Sequence, residues 1–205
     1  AADLFDLYLN NMPAERDGDV RWNMLDLAGV DFKNAQVVDL GCNLGYFCGK
    51  ALEAGAVSAF GVDADADIVQ VAKGLHWSDP QAQFRCLDLD RAYMGAFIEE
   101  VDAAYRDSLA ERRITLVLSV IMHLQSPGRF WKLVDQLETD ILIFEPPHAG
   151  EYDGHLTAED WRAGLTASGW GVVLAGETDR NRPLFICQRR YQRGATSRNQ
   201  VSRAV

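Results

Sequence analysis

The sequence predicts an α/β fold: a mostly parallel β-sheet with helices on both faces. Three observations carry this. From residue 36 onward, short apolar runs alternate with segments whose apolar residues recur at helical spacing. The runs are apolar throughout, as strands buried on both faces are. The stretch VVDLGCNLGYF, residues 37–47, is an apolar run that stops at Gly41 and passes through Asn43 and Gly45 into a helix. A strand that ends at a glycine turn and feeds a helix N-terminus is a nucleotide-binding corner. The first helical turn has unpaired N–H groups, and glycine lets a ligand approach the main chain.

Two segments precede that unit. Residues 3–12 place Leu4, Phe5, Tyr8, Leu9 and Met12 on one helical stripe that Pro13 ends. A second helix, near 18–28, carries Val20, Met24, Leu25 and Leu27. As an N-terminal helical addition over residues 1–33, they either cover the substrate side or pack on the sheet edge.

The core then reads in order. Gln36–Leu40 is a strand, 45–54 a helix, Val57–Val62 a strand and 65–75 a helix bearing Ile68, Val71, Ala72 and Leu75. Gln83–Leu87 is the third strand. Residues 92–105 form an amphipathic helix on Met94, Phe97, Ile98, Val101 and Tyr105. Ile114–Ser119 is the fourth strand, 129–138 a helix, and Asp140–Phe144 the fifth strand, closed by Glu145-Pro146-Pro147. Thr157 with Asp160 opens a helix in the manner of a capping box, and Gly169 ends it. Val172–Ala175 and Leu184–Gln188 are two closing strands joined like a hairpin.

The bulk numbers agree with one globular unit, assigned to residues 1–190. The 205 residues are 48% hydrophobic and 24% charged. No apolar run reaches the ~20 residues of a membrane helix, and AADLFDLYLN lacks the basic start and apolar core of a signal peptide. The chain does not open on Met, which leaves room for a trimmed start or a larger parent protein. Cys42, Cys48, Cys86 and Cys187 form no C-x-x-C pair and read as free thiols of a reducing compartment, hence a cytoplasmic protein. The net charge of −10 resides in the first 100 residues. After Asp179 there is no acid but seven arginines. An acidic body with a basic tail (191–205) is a poor general nucleic-acid binder. That tail either touches a phosphate or another protein, or is a solvated end.

In a parallel sheet of this kind, ligands sit outside the carboxyl ends of the strands, where the strand order reverses. Those ends carry Asp39, Gly41, Asn43 and Gly45 on the first strand and Asp63 on the second. The third gives Asp88, the fourth Ser119 followed by His123, and the fifth Glu145. The two oxygens of Asp63 match a vicinal diol such as a ribose. Asp88 can accept from an adenine amino group, although Asp79 and Asp90 nearby allow a merely solvated cluster. The dinucleotide fingerprint G-x-G-x-x-G needs glycines at 41, 43 and 46, where the chain has Asn43 and Tyr46.

In order, these motifs resemble the class I S-adenosylmethionine-dependent methyltransferases. VVDLGCNLGYF is similar to their glycine-rich first motif, FGVDAD to the second and FRCLDLD to the third. LVLSVIMHL resembles the fourth, and ILIFEPP with GWGVVLAGETDRNRPLFICQRR the last. The resemblance covers residues 34–190. One departure is Asn43, where a glycine is common; Asn tolerates a left-handed backbone better than most residues. The resemblance implies a Rossmann-like seven-stranded sheet with the last strand antiparallel. It also implies S-adenosylmethionine as cofactor, with S-adenosylhomocysteine as product, held by Asp39, Gly41, Cys42, Asn43, Gly45, Tyr46, Asp63, Ala64, Asp88, Leu89 and Ser119.

Methyl transfer is an in-line displacement that needs alignment above all, and a base only when the acceptor keeps its proton. His123 is the candidate base; its alternative is a neutral histidine packed beside the cofactor. Tyr46, Glu145, His148, Tyr152 and His155 are candidate acceptor contacts, the last three in the loop PPHAGEYDGHL. His148, Glu151, Asp153 and His155 share no regular face, so no metal is expected. Arg180 and Arg182 pair with an acidic acceptor or solvate their turn. The expected acceptor is a small molecule or glycan methylated at oxygen or nitrogen, with no membrane partner. The rival readings are an RNA or tRNA methyltransferase and a methyltransferase-like domain that serves a partner domain or subunit.

Overall fold

The computed structural model describes residues 18–91, 94–151 and 156–189. The helix expected over 3–12, Tyr152, Asp153 and His155, and the basic tail lie outside them. The strands are β1 Ala35–Leu40, β2 Ser58–Asp63, β3 Ala82–Cys86, β4 Arg112–Leu118, β5 Ile141–Glu145, β6 Trp170–Glu177 and β7 Pro183–Arg189. The helices are α1 Gly18–Leu27, α2 Tyr46–Glu53, α3 Ala66–Leu75, α4 Gly95–Asp107, α5 Pro127–Gln136 and α6 Ala158–Ala167, with a short 3₁₀ turn at Ile121–His123.

Among the described residues these strands form one sheet in the order β3-β2-β1-β4-β5-β7-β6. The pairs β1–β2, β1–β4, β2–β3 and β4–β5 are parallel, whereas β7 runs antiparallel to both β5 and β6. The order reverses between β1 and β4, so the crevice at their carboxyl ends is where a ligand belongs.

Adjacent residues of β1 serve opposite faces, because strand side chains alternate. Val38 and Leu40 join Phe97, Val101, Phe130, Leu133 and Leu165 of α4, α5 and α6 in one core. Val37 joins Leu25, Phe47 and Val69 of α1, α2 and α3 in the other. This two-faced burial is why all six β1 residues are buried and why the run carried no period-2 signal. The Thr157 cap forms as expected: its hydroxyl accepts from Asp160 N–H at 3.2 Å, and its own N–H donates to the Asp160 carboxylate at 2.8 Å.

Several boundaries differ from the sequence reading, those of two strands for identifiable reasons. β4 begins at Arg112 rather than Ile114, because Arg113 is buried. Its guanidinium donates to Gln36 Oε1 at 2.7 Å and to the Leu137 carbonyl, and it pairs with Asp102 at 2.8 Å. β6 runs two residues beyond the expected Val172–Ala175 at each end, because pairing with β7 carries Gly171, Gly176 and Glu177, and a bulge between Leu174 and Gly176 leaves Ala175 out of the register. Among the described residues, no helix is long and apolar enough to cross a membrane.

Candidate active site

The turn after β1 is built from left-handed residues: Gly41 at φ 83°, Asn43 at 49° and Gly45 at 79°. The Asn43 side chain accepts from Leu44 N–H at 2.7 Å, a local bond that helps a non-glycine residue hold this conformation. The Gly41 and Cys42 N–H groups donate to the Val62 carbonyl at 2.8 and 2.9 Å, which ties the turn to β2. A Cβ on Gly41 would stand 2.6 Å from Val120 Cγ2, so only glycine fits between this turn and the segment after β4.

Beside the turn lies a cavity of about 940 Å³ at the carboxyl ends of β1, β2, β3 and β4. Asp39, Gly41, Cys42, Asn43 and Tyr46 line it from the β1–α2 side, and Asp63 and Ala64 from the end of β2. Asp88 and Leu89 follow from the end of β3, and Ser119 and His123 from the segment after β4. Ten of the eleven expected cofactor residues, with the candidate base His123, therefore share one wall system. Ile68, Leu87, Leu118 and Val120 add apolar surface to it.

The carboxylates differ in how they are held. Asp63 accepts from Asn43 N–H at 3.0 Å and from Asp65 N–H at 3.1 Å, a fixed carboxylate with lone pairs to spare. Asp88 accepts from Asp90 N–H at 2.9 Å and pairs with the exposed Arg91 at 3.5 Å. Asp90 is neither idle nor merely solvated: it accepts from Gln125 and Ser126 N–H, each at 2.9 Å, and so fastens the β4–α5 loop to the β3 end. Asp39 is 2% exposed. Burial pushes its carboxyl up to about 7, against the pull of the Arg21 guanidinium and with the push of Asp63.

Some expected site residues have other jobs. Gly45 does not line the cavity. It is the left-handed N-cap of α2, where a Cβ would stand 2.6 Å from the Phe84 ring. Glu145, expected at the acceptor, is fully buried one layer behind the wall. Its carboxylate accepts from the Ser119 hydroxyl at 2.6 Å and the Thr178 hydroxyl at 2.7 Å, with Arg21 Nη1 at 3.5 Å. The pattern E-P-P at a strand end could not distinguish an exposed carboxylate from one consumed by neighbours of distant sequence number. His148 is exposed and stands off the cavity, bonded through Nδ1 to the Ala149 carbonyl at 2.9 Å. Arg182 neither waits for an acidic acceptor nor solvates a turn. It is 5% exposed and grips Glu151 with two bonds of 2.6 and 2.7 Å, locking the loop after β5 to the β6–β7 turn. The paired guanidinium holds the Glu151 carboxyl down to about 2.

The helix before the sheet supplies wall residues that no local motif singled out. Gly18 and Arg21 of α1 line the cavity. The Tyr46 hydroxyl donates to the Asp19 carboxylate, and the Arg21 guanidinium lies 5.0 Å from the Phe47 ring centroid. Trp22 stacks on Phe32 at 4.8 Å. Within the described part of this addition, α1 lines the cavity with Gly18 and Arg21 and also packs Met24 against Gly176 of the edge strand β6. The four cysteines are free, and burial raises the thiols of Cys42, Cys48 and Cys187, which leaves them protonated. Among the described residues no group of three or more His, Cys, Asp or Glu assembles for a metal.

No family model and no curated protein matches the sequence. The fold, however, matches solved structures. The bifunctional kinase-methyltransferase WbdD aligns over 90% of this chain and 46% of its own, at TM-score 0.60 and 22% identity. An S-adenosylmethionine-dependent methyltransferase from Mesorhizobium loti aligns over 84% of this chain and 97% of its own, at TM-score 0.57 and 18% identity. The fold is that of the S-adenosylmethionine-dependent methyltransferases. Magnesium protoporphyrin IX methyltransferase from Synechocystis PCC 6803, solved with bound S-adenosylmethionine, extends the likeness: TM-score 0.52, 19% identity, 84% of this chain and 77% of that one. The chain spans between 35% and 46% of the WbdD chains it matches. Within this methyltransferase fold the seven-stranded sheet and its antiparallel last strand are as the sequence led one to expect.

Proposed function

We propose that the protein is an S-adenosylmethionine-dependent methyltransferase that acts on oxygen or nitrogen of a small molecule or glycan. One observation carries the reading. Three carboxylates, Asp39, Asp63 and Asp88, stand at or beside the carboxyl ends of three adjacent strands around one cavity with a left-handed glycine turn at its edge. The residues fit the cofactor. Asp63 suits the ribose diol, Asp88 the amino edge of the base, and Ile68 and Leu87 its flat faces. Asp39 and the turn suit the methionine end. The cofactor, when bound, supplies a methyl group already activated on a sulfonium.

The chain supplies position and charge. Asp63, Asp88 and Asp90 outnumber Arg21 and Arg91 on the cavity wall, and Asp39 adds to them as it ionises, so the field favours a cationic cofactor over the neutral thioether product. His123 follows Ser119 by one short turn on the same wall, where it takes the proton of an acceptor that still carries one. An already activated methyl group asks for alignment rather than a Lewis acid, which supports a metal-independent transfer. The acidic body disfavours polyanionic acceptors, and the free thiols support a cytoplasmic setting.

Calorimetric titration of S-adenosylhomocysteine tests the reading. Binding in the micromolar range is expected for the wild type, weakened by at least about tenfold in Asp63→Ala through loss of hydrogen bonds to a charged group. No binding of either cofactor form overturns it.

A further inference from the structure

Glu145, the acid that closes β5, is fully buried behind the cavity wall rather than part of it, and its groups are heavily engaged. Its main-chain carbonyl accepts from Ser119 N–H at 3.2 Å and its carboxylate from the Ser119 hydroxyl at 2.6 Å. The residue therefore holds Ser119 by both backbone and side chain. Ser119 needs holding: it is a non-glycine residue at φ 64°, on the cavity wall. The other carboxylate oxygen accepts from Thr178, at the start of the β6–β7 turn. The oxygen that takes the Ser119 hydroxyl also meets Arg21 Nη1 at 3.5 Å. Arg21 is 9% exposed and lines the cavity from α1. One carboxylate thus joins β4, β5, the β6–β7 turn and the covering helix.

The geometry points to Glu145 as a positioning residue for the transfer end of the site, and to Arg21 as the arm through which it seats α1 on the cavity. The inference rests on the methyltransferase reading and adds to it a control of cofactor retention. A buried carboxylate that loses a cationic partner is left under-compensated, so the pair favours the seated helix. α1 also reaches the site through Asp19 and Tyr46, so loosening its Arg21 end opens the cavity mouth without detaching the helix.

The test is stopped-flow release of S-adenosylhomocysteine from wild type, Glu145→Gln, Arg21→Met and the double variant, with hydrogen exchange followed across the chain. Release is expected to quicken about tenfold in each single variant, the size of a charge-assisted hydrogen bond. The double variant should be no faster than Glu145→Gln alone, because the two changes break one pair. Exchange should rise over residues 18–27 and stay at wild-type levels in β1 and β4. Unchanged release, additive effects, or exchange rising equally through the sheet overturns the positioning role. A wild type that binds no S-adenosylhomocysteine overturns the methyltransferase reading itself, and this one with it.

Discussion

The Asp63 carboxylate at the end of β2 accepts a hydrogen bond of 3.0 Å from the Asn43 N–H of the β1–α2 turn. The residue proposed for a ribose is thus the one that fixes the β1–α2 turn. Asp63→Asn retains one acceptor for Asn43 but presents only one oxygen to a diol. Its NH2 then meets the Asp65 N–H, so it should weaken S-adenosylhomocysteine binding with a smaller loss of thermal stability than Asp63→Ala. Asp63→Ala should lower both, by about 1–3 kcal/mol in stability, as Asn43 and Asp65 lose their acceptor. Calorimetry paired with thermal melts separates the two, and equal melting points for both variants would refute the dual role.

Gly41→Ala is expected to be costly. The left-handed backbone at φ 83° alone disfavours a Cβ by about 1–2 kcal/mol. The contact of 2.6 Å with Val120 Cγ2 adds to that, because Val120 is itself nearly buried. Urea unfolding should show the loss, and Val120→Ala in the Gly41→Ala background should return part of it. An unperturbed midpoint would show that the turn is free to move.

Asp39 imposes a pH dependence of known sign. In the folded protein its carboxyl is pushed up to about 7, against about 3.8 for an ordinary aspartate, because burial disfavours the charged form. Between these values the folded chain holds a proton that the unfolded chain has lost. Stability from this group therefore falls as pH rises from about 4 to 7, by at most about 4 kcal/mol. Asp39→Asn should gain on the wild type across that window, with the gap widest above pH 7. A melting-point difference that does not vary with pH would contradict it.

The Glu151–Arg182 grip acts in the opposite sense. Arg182 holds the Glu151 carboxyl down to about 2, below its ordinary 4.5. Its contribution is present above pH 4.5 and lost as pH falls toward 2. Glu151→Gln should cost about 1 kcal/mol at pH 7 and almost nothing near pH 2, since the pair is partly exposed to solvent. Unfolding curves at the two pH values check this.

What the sequence made legible is what depends on local pattern. The β1 run, its glycine turn and the acids at the strand ends lie within short windows, and the order of motifs carried the sheet topology with it. Asn43, a departure from the usual glycine, holds the left-handed turn as its side-chain chemistry allows. What stayed hidden depends on pairs far apart in the chain. Arg21 and Glu145 are 124 positions apart, and Arg182 and Glu151 are 31 apart. Nothing local marks an arginine of α1 as a cavity wall, or Glu145 as a buried staple rather than an acceptor contact. The D-L-D spacing of Asp88 and Asp90 did hold a signal. Both acids lie in the turn just past β3 and both line the cavity, and Asp90 also fastens the β4–α5 loop.

A crystal structure with S-adenosylhomocysteine tests the central claim most directly. The account predicts the ligand in the 940 Å³ cavity, with ribose hydroxyls on Asp63, the base beside Asp88 and the sulfur between the Gly41 turn and the Ser119–His123 segment. A ligand bound elsewhere, or a cavity that stays empty at saturating S-adenosylhomocysteine, would contradict it.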